Sequence, residues 1–432
     1  MPPLADPASA GASLFELVAE LFPLHRSLTG DGVRETLARL ARHIPLVIHE
    51  VPSGTRVFDW TVPDEWNVRD AWIADPTGRR VVDIRRSNLH LVHYSVPVRA
   101  RLPLAELRHH LFSRPDAPDV VPYRTSYYAP SWGFCLAHRD LAALADGEYE
   151  VCIDATLAPG SLTYGECVLP GETDDEVLVS THICHPSLAN DNLSGIVVAT
   201  ALAQELTSRG SRRYGYRFVF APGTIGAITW LARNESRVDH IRHGLVLAGL
   251  GDASAFTYKK SRRGDADIDR VVPHVLHHAG APHALAEFSP YGYDERQYCS
   301  PGFDLPVGCL MRTPHGAYPE YHTSADDLGF VRAEALHESL RLVLAVIDTL
   351  EANRVHVSQN PKCEPQLGRR GLYAPAGGGD PRADQLALLW MLNLADGRHS
   401  LLDIAERAGM PFAAIERAAR LLSEHGLLKE AV

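Results

Sequence analysis

Long hydrophobic runs are missing from this 432-residue sequence, and no stretch approaches the apolar length that a membrane-crossing helix requires. Paired cysteines are missing as well. Cys135, Cys152, Cys167, Cys184, Cys299, Cys309 and Cys363 are scattered, their number is odd and none has C-x-x-C spacing. That speaks against a disulfide framework or a thiolate zinc knuckle and fits a reducing cytoplasm. An excess of positive charge is absent too: 42 Lys+Arg against 53 Asp+Glu leave a net charge of -11, which argues against a polyanionic partner. The opening residues, MPPLADPASAGAS, have neither a basic start nor an apolar run, so no signal peptide is expected. What is present is the composition of a globular protein, 45% hydrophobic and 22% charged, over a length that calls for two or three domains. There are also 22 histidines, enough to make a search for metal ligands worthwhile.

From Ser13 to about Ile48, LFELVAELFPL and VRETLARLARHI have the spacing of two amphipathic helices. Residues 56–157, dense in Pro, Trp, Tyr and alternating runs such as NLHLVHYSV, suggest an inserted β-rich domain. In residues 158–358 short apolar strands, EVLVSTHIC, YRFVFAP, GLVLAGLG and LPVGCLM, alternate with helical patterns at about Asn192–Ser208, Thr224–Asn234, Ile268–Ala279 and Ala333–Ala352. That alternation predicts an α/β fold, a mainly parallel sheet flanked by helices, with residues 1–55 as a helical part of the same core. The ligand site of such a sheet lies beyond the carboxyl ends of its strands. His182, Gly223, Asp252 and Arg312 all follow a strand end. In residues 359–432 a linker, GLYAPAGGGDP, precedes three helical patterns with an N-cap at Ser400–Asp403 and Pro411 at a helix start, the outline of a winged helix.

The chemistry concentrates in STHICHPSLANDNLSG, where a strand delivers His182 and Asp191 stands at the mouth of the next helix. EYHTSADD adds His322. One histidine alone is more often structural than a ligand. Two imidazoles and a carboxylate from loops at strand ends of one domain match a catalytic Zn²⁺ site, three protein ligands with one position open.

From about Cys167 to Leu350 the sequence resembles the zinc-dependent aminopeptidase superfamily, through His182, Asp191 within NDN, and His322 within HTSAD. TSYYAPSWGFC, THICHPSLANDNLSG, YDERQYCSPGFDLPVG and RTPHGAYPEYHTSAD extend the likeness over nearly the whole chain to a bacterial aminopeptidase-like family. The resemblance implies the inserted β domain and the C-terminal winged helix, and gives Asp326 the place of a supporting carboxylate. It also exposes departures. Where the superfamily has His-x-Asp, this chain reads His182-Ile183-Cys184. Gly223 stands where relatives have the glutamate matching the general base, and Thr224 where a glutamate would bind a second zinc. A third carboxylate is out of register, with Asp252 slightly beyond its place. These losses leave enough for one Zn²⁺ ion, held by His182, Asp191 and His322.

Hydrolysis of an amide by zinc usually needs a carboxylate to shuttle a proton to the leaving amine. Glu295, Asp252 and Glu320 are the stand-ins, with Glu295 preferred because its loop is rich in Tyr and Arg. Arg296 or Arg312 could grip a substrate carboxylate bidentately, and Tyr318 and Tyr321 flank His322 and could hydrogen-bond a carbonyl. Cys184 fits a buried thiol better than a nucleophile. The winged helix carries six Lys+Arg and seven Asp+Glu over residues 381–432, so a packing or dimerisation module fits better than a DNA binder. The expectation is a cytoplasmic metal-dependent hydrolase acting on an amide of an amino-acyl or small peptide-like metabolite. Neither nucleic acid nor membrane is expected as a partner, and a homo-oligomer is compatible with the tail. The competing expectation is a non-hydrolytic binding or scaffold protein, or a repurposed biosynthetic enzyme, that kept the metal pocket and lost the base.

Overall fold

Every residue of Glu176–His182 after the first is buried. A strand that is apolar without alternation must be covered on both faces, as interior strands of parallel sheets are. In the computed structural model, which describes residues 7–372 and 381–431, this strand lies inside an eight-stranded sheet. Gly215–Ala221 and Ile241–Leu247 run parallel to it on either side, and Val307–Met311 extends the parallel set. Antiparallel strands finish the sheet: Ser161–Leu169 and then Val47–Pro52 at one edge, Phe256–Lys259 towards the other. The helices Gly195–Ser208 and Ile225–Asn234 follow two of the parallel strands and bury most of their side chains. The expected α/β architecture is therefore present.

Between Val47–Pro52 and Ser161–Leu169 the chain builds a separate antiparallel sheet in the order Arg80–Asp83, Glu65–Ala74, Glu148–Ala158, Val98–Pro103. Its inner face joins the same hydrophobic core as the main sheet, through residues such as Trp66, Ile73 and Val151. A later stretch of this insertion reaches the loop that carries His322. Tyr123 donates its backbone N–H to the carbonyl of His322 (2.8 Å), and Ser324 donates to Val121 (2.8 Å).

Two compact units divide the chain, Met1–Ala266 with Ala284–Leu340, and Asp267–His283 with Arg341–Val432. The second holds the helices Asp267–His278, Pro381–Leu394, Leu401–Ala408 and Phe412–Glu424. It also holds a three-stranded sheet in which Val355–Ser358 lies between Asp396–Ser400 and Leu428–Glu430. Ser400 and Asp403 form the expected capping box, and Gly409, with φ 62°, ends that helix in the left-handed conformation that glycine adopts at least cost. Pro411 is the N-cap of the last helix and Phe412 its first residue. Residues 373–380, most of the expected linker, lie outside the described residues. No helix among the described residues is long and apolar enough to cross a membrane.

Candidate metal centre

The sequence Asn190-Asp191-Asn192 divides its labour between fixing a loop and presenting a carboxylate. Asn190 accepts from the Gly251 N–H (2.8 Å) and donates to Asp252 (3.0 Å). Asn192 donates to Thr181 Oγ1 (2.8 Å) and accepts from the Gly249 N–H (3.1 Å). The Asp326 carboxylate receives the backbone N–H groups of Asn190 (2.6 Å) and Asp191 (2.9 Å), and burial pushes its pKa up to about 8. With both neighbours lashed to the ends of parallel strands, the Asp191 side chain alone is left to face the site.

Three imidazoles meet that carboxylate. His182 Nε2 lies 2.8 Å from Asp191 Oδ1, while His322 Nε2 and His185 Nδ1 lie 3.0 and 3.3 Å from Oδ2. Burial alone would raise the carboxyl pKa of Asp191, but the three histidines outweigh it and hold the group well below the usual carboxylate range. Asp191 Oδ2 and His322 Nε2 are buried without an aligned hydrogen bond. A buried carboxylate oxygen that lacks an aligned donor is costly, and a cation held by these side chains would remove the cost. His182, His185 and Asp191 offer donor atoms all within 4.8 Å of one another, and nitrogen with carboxylate oxygen is a donor set that suits zinc.

The histidines form one wall of a cavity of about 380 Å³. Aromatic rings support them: Tyr293 stacks on His182 at 4.9 Å, Tyr321 on His322 at 4.0 Å, and Tyr123 meets His185 and His322 edge-on. Gly223 also lines the cavity. Its backbone is outside the left-handed region, and a Cβ there would meet Cys184 Sγ at 3.4 Å and His182 Cβ at 3.6 Å, ordinary contact distances. Thr224, at φ 64° and ψ −71°, sits in a γ-turn closed by the Ile225 N–H on the Gly223 carbonyl (3.0 Å). This strained turn aims the Thr224 N–H at Asp294 Oδ1, 2.7 Å away. Asp294 is buried, lines the cavity, and has its pKa raised by that burial.

Of the residues expected from sequence, His182, Asp191, His322 and Tyr321 come together here. Glu295 does not. Its side chain is fully buried against Lys259 Nζ at 2.7 Å and lies off the cavity wall, because the short helix Glu295–Tyr298 turns it away from its neighbour Asp294. Arg312 is also buried away from the cavity, held by Ser254, Ala335 and Glu338, so it is not free to grip a ligand. Arg296 and Tyr318 lie off the cavity wall, Tyr318 stacking on Phe330. Asp252 is taken up by Asn190, Ser254 and Thr313. Cys184 is a buried thiol, its pKa pushed up to about 12 by burial, and it accepts the Gly223 N–H. Asp294 is not among the residues expected from the sequence, and His185 stands there only as a polar neighbour of His182. His185 is signalled by HICH, a second imidazole three residues on. Asp294 is the immediate neighbour of Glu295.

A family model described as a domain of unknown function (DUF4910) matches residues 15–353, and one described as a winged helix-turn-helix matches residues 354–430. A curated protein of Clostridium acetobutylicum is 49% identical over 427 residues, covering 99% of this chain and 98% of its own length. Its provisional name is polysaccharide biosynthesis protein with aminopeptidase-like domain. A crystal structure of a provisionally assigned peptidase from the same organism superposes with a TM-score of 0.94 at 47% identity, covering 98% of this chain and 97% of that one. A zinc aminopeptidase from Bacillus subtilis shares the fold, with a TM-score of 0.59 at 15% identity over 79% of this chain and 94% of its own.

Proposed function

The chain belongs to the DUF4910 family, and from that premise we propose that it is a metal-dependent hydrolase of the aminopeptidase-like type acting on an amide bond. The observation that carries this reading is the buried Asp191 carboxylate, ringed by His182, His185 and His322 at the wall of a cavity beyond the parallel strands. His182, Asp191 and His322, with His185 beside them, would hold one divalent cation. When bound, such an ion supplies Lewis acidity, activating water and polarising a carbonyl.

The remaining work falls to the chain's own groups. Amide hydrolysis consumes one water: the C–N bond breaks, the acyl carbon takes the hydroxyl and the nitrogen leaves with the proton. Asp294, not Glu295, is the carboxylate that shares the cavity with the histidines, and in this reading it carries that proton. The Thr224 N–H fixes one of its oxygens and leaves the other for the reaction. Tyr321 lines the same cavity, where its hydroxyl would meet the substrate carbonyl. Thr224 offers no carboxylate for a second ion, which supports a single one.

A second reading, a metal-retaining binding protein, draws on Gly223, where a glutamate would supply the base. The two part on one experiment. Zinc-loaded protein is assayed on a panel of N-acyl amides and peptides beside Asp294→Asn. Turnover that falls by about two to four orders of magnitude in the variant, with metal content unchanged, supports hydrolysis. A fully loaded wild type that is inert across the panel would sink it. The name of the Clostridium relative supports a place in a biosynthetic rather than a digestive setting.

For the C-terminal unit we propose a packing role rather than DNA binding. The recognition helix of a helix-turn-helix reads bases with its N-terminal residues. Here the first N–H of that helix, at Phe412, is given to His274 Nε2 of the helix Asp267–His278 (3.0 Å).

A further inference from the structure

Six aromatic side chains line the cavity, and four of them are committed. Tyr123, Tyr293 and Tyr321 lie against the ligand histidines, and Tyr127 is tied to the Tyr123 hydroxyl at 3.0 Å. Trp60 and Tyr128 buttress nothing at the metal centre. They remain 44% and 51% exposed, and their rings meet edge-to-face at 5.5 Å. Trp60 stands on a tight hairpin, Arg56–Val57 with Trp60–Thr61. Tyr128 is held at φ 62°, an uncommon conformation for a bulky residue and one that ligand clamps often contain. Leaving two large rings half in water costs hydrophobic stabilisation unless something covers them.

The chemistry of the wall says what could cover them. Among the described residues lining the cavity there is no lysine or arginine, so no ammonium or guanidinium group stands ready to pair with a carboxylate or phosphate. Asp294 is the one carboxylate among these lining residues, and the Thr224 N–H already holds it. Aliphatic side chains are scarce among these residues, Leu28 and Ile225 alone, so the apolar part of the wall is built of flat aromatic faces. Rings alternate instead with hydroxyls, from Thr125, Thr224 and the tyrosines. An uncharged ring with one C–H face and a rim of hydroxyls complements such a wall.

We propose that the substrate is an N-acylated amino sugar, its ring seated on Trp60 and Tyr128 and its amide directed to the histidine wall. This rests on the amide-hydrolase reading. Hydrolysis would release the carboxylic acid and the free amino sugar, water supplying the hydroxyl to the acyl carbon and the hydrogen to the nitrogen.

Binding separates this inference from the reaction itself. The full-length, zinc-loaded protein is titrated with N-acetylglucosamine, its β-1,4-linked dimer and the zwitterionic dipeptide leucyl-leucine, by calorimetry and saturation-transfer NMR. The acetylated sugars are expected to bind at least about tenfold more tightly than the dipeptide. Trp60→Ala and Tyr128→Ala should each weaken sugar binding about two- to tenfold, the worth of one ring contact, with metal content and thermal unfolding unchanged. Trp60→Phe should recover most of the loss. Sugar binding indifferent to both alanine variants, tighter binding of the dipeptide, or no sugar binding at millimolar concentration would each overturn the inference. Sugar binding without turnover would keep the sugar seat on Trp60 and Tyr128 but remove the hydrolase reading, and with it the sugar's role as substrate. Peptide turnover without sugar binding would do the reverse.

Discussion

At Asn190–Asn192 one short segment both fixes a loop and presents a buried carboxylate to three histidines. Asp191→Asn keeps the shape and removes the charge. Elemental analysis of protein purified without chelator should give close to one equivalent of zinc for the wild type and a fall of about tenfold or more for the variant, since even outer-sphere changes cost about that much. Two reproducible equivalents in the wild type would contradict the single-ion reading. Gly223 allows a complementary experiment. The space beside His182 and Cys184 accepts a Cβ at ordinary distances and the backbone is unstrained, so Gly223→Glu should fold, keep its metal and raise amide turnover by adding a second base. A folded, loaded variant slower than wild type would show that Asp294 already fills the role and that a second carboxylate obstructs it. The residue scale is also where the sequence was hardest to read. Glu295 and Asp294 are adjacent acids, and which one faces the cavity depends on where a four-residue helix begins. Each residue turns a helix by about 100°, so a displacement of one residue exchanges the buried ion pair with Lys259 for the cavity wall.

Elements with strong periodicity were legible. The helix Ala333–Ala352 and the parallel strands lie where their apolar patterns place them, because a strand buried on both faces cannot alternate and a capping box leaves its letters in the sequence. Val355–Ser358 was not legible as part of the winged helix. It has four residues, only one of them buried, and it gains its place only by pairing with Leu428–Glu430 some seventy residues on. Contacts of this kind also hold the helix-turn-helix. Arg270 reaches Asp403 at 2.6 Å and also Glu406, and His274 accepts the Phe412 N–H. His274 has its pKa lowered to about 4, chiefly by burial and further by His278, His277 and Arg270. The folded state therefore favours the neutral ring. Above about pH 6.5 its contribution is complete, and below that the unfolded chain takes up the proton first, so stability is lost as the pH falls towards 4. The protection of the Phe412 amide against hydrogen exchange, taken relative to the intrinsic chemical rate at each pH, should fall over that window. His274→Ala should exchange quickly throughout, with the window gone.

At the scale of the whole molecule, charge bears on the packing role proposed for the tail. A tail with seven acids to six bases, on a chain of net charge -11, offers little for phosphate to bind. No mobility shift of duplex DNA is expected at physiological salt. A micromolar shift abolished by deleting residues 381–432 would reverse the packing assignment. The inserted sheet bears on the chain in another way. Because the Tyr123 N–H holds the His322 carbonyl and Val121 receives the Ser324 N–H, the insertion is not a cassette that engineering could excise to recover a minimal catalytic domain. Cutting it away would unlatch one imidazole from the centre. Grafting it onto a related scaffold would carry a ligand-setting brace along with the sugar-facing rings, so the two properties should be inherited together or lost together.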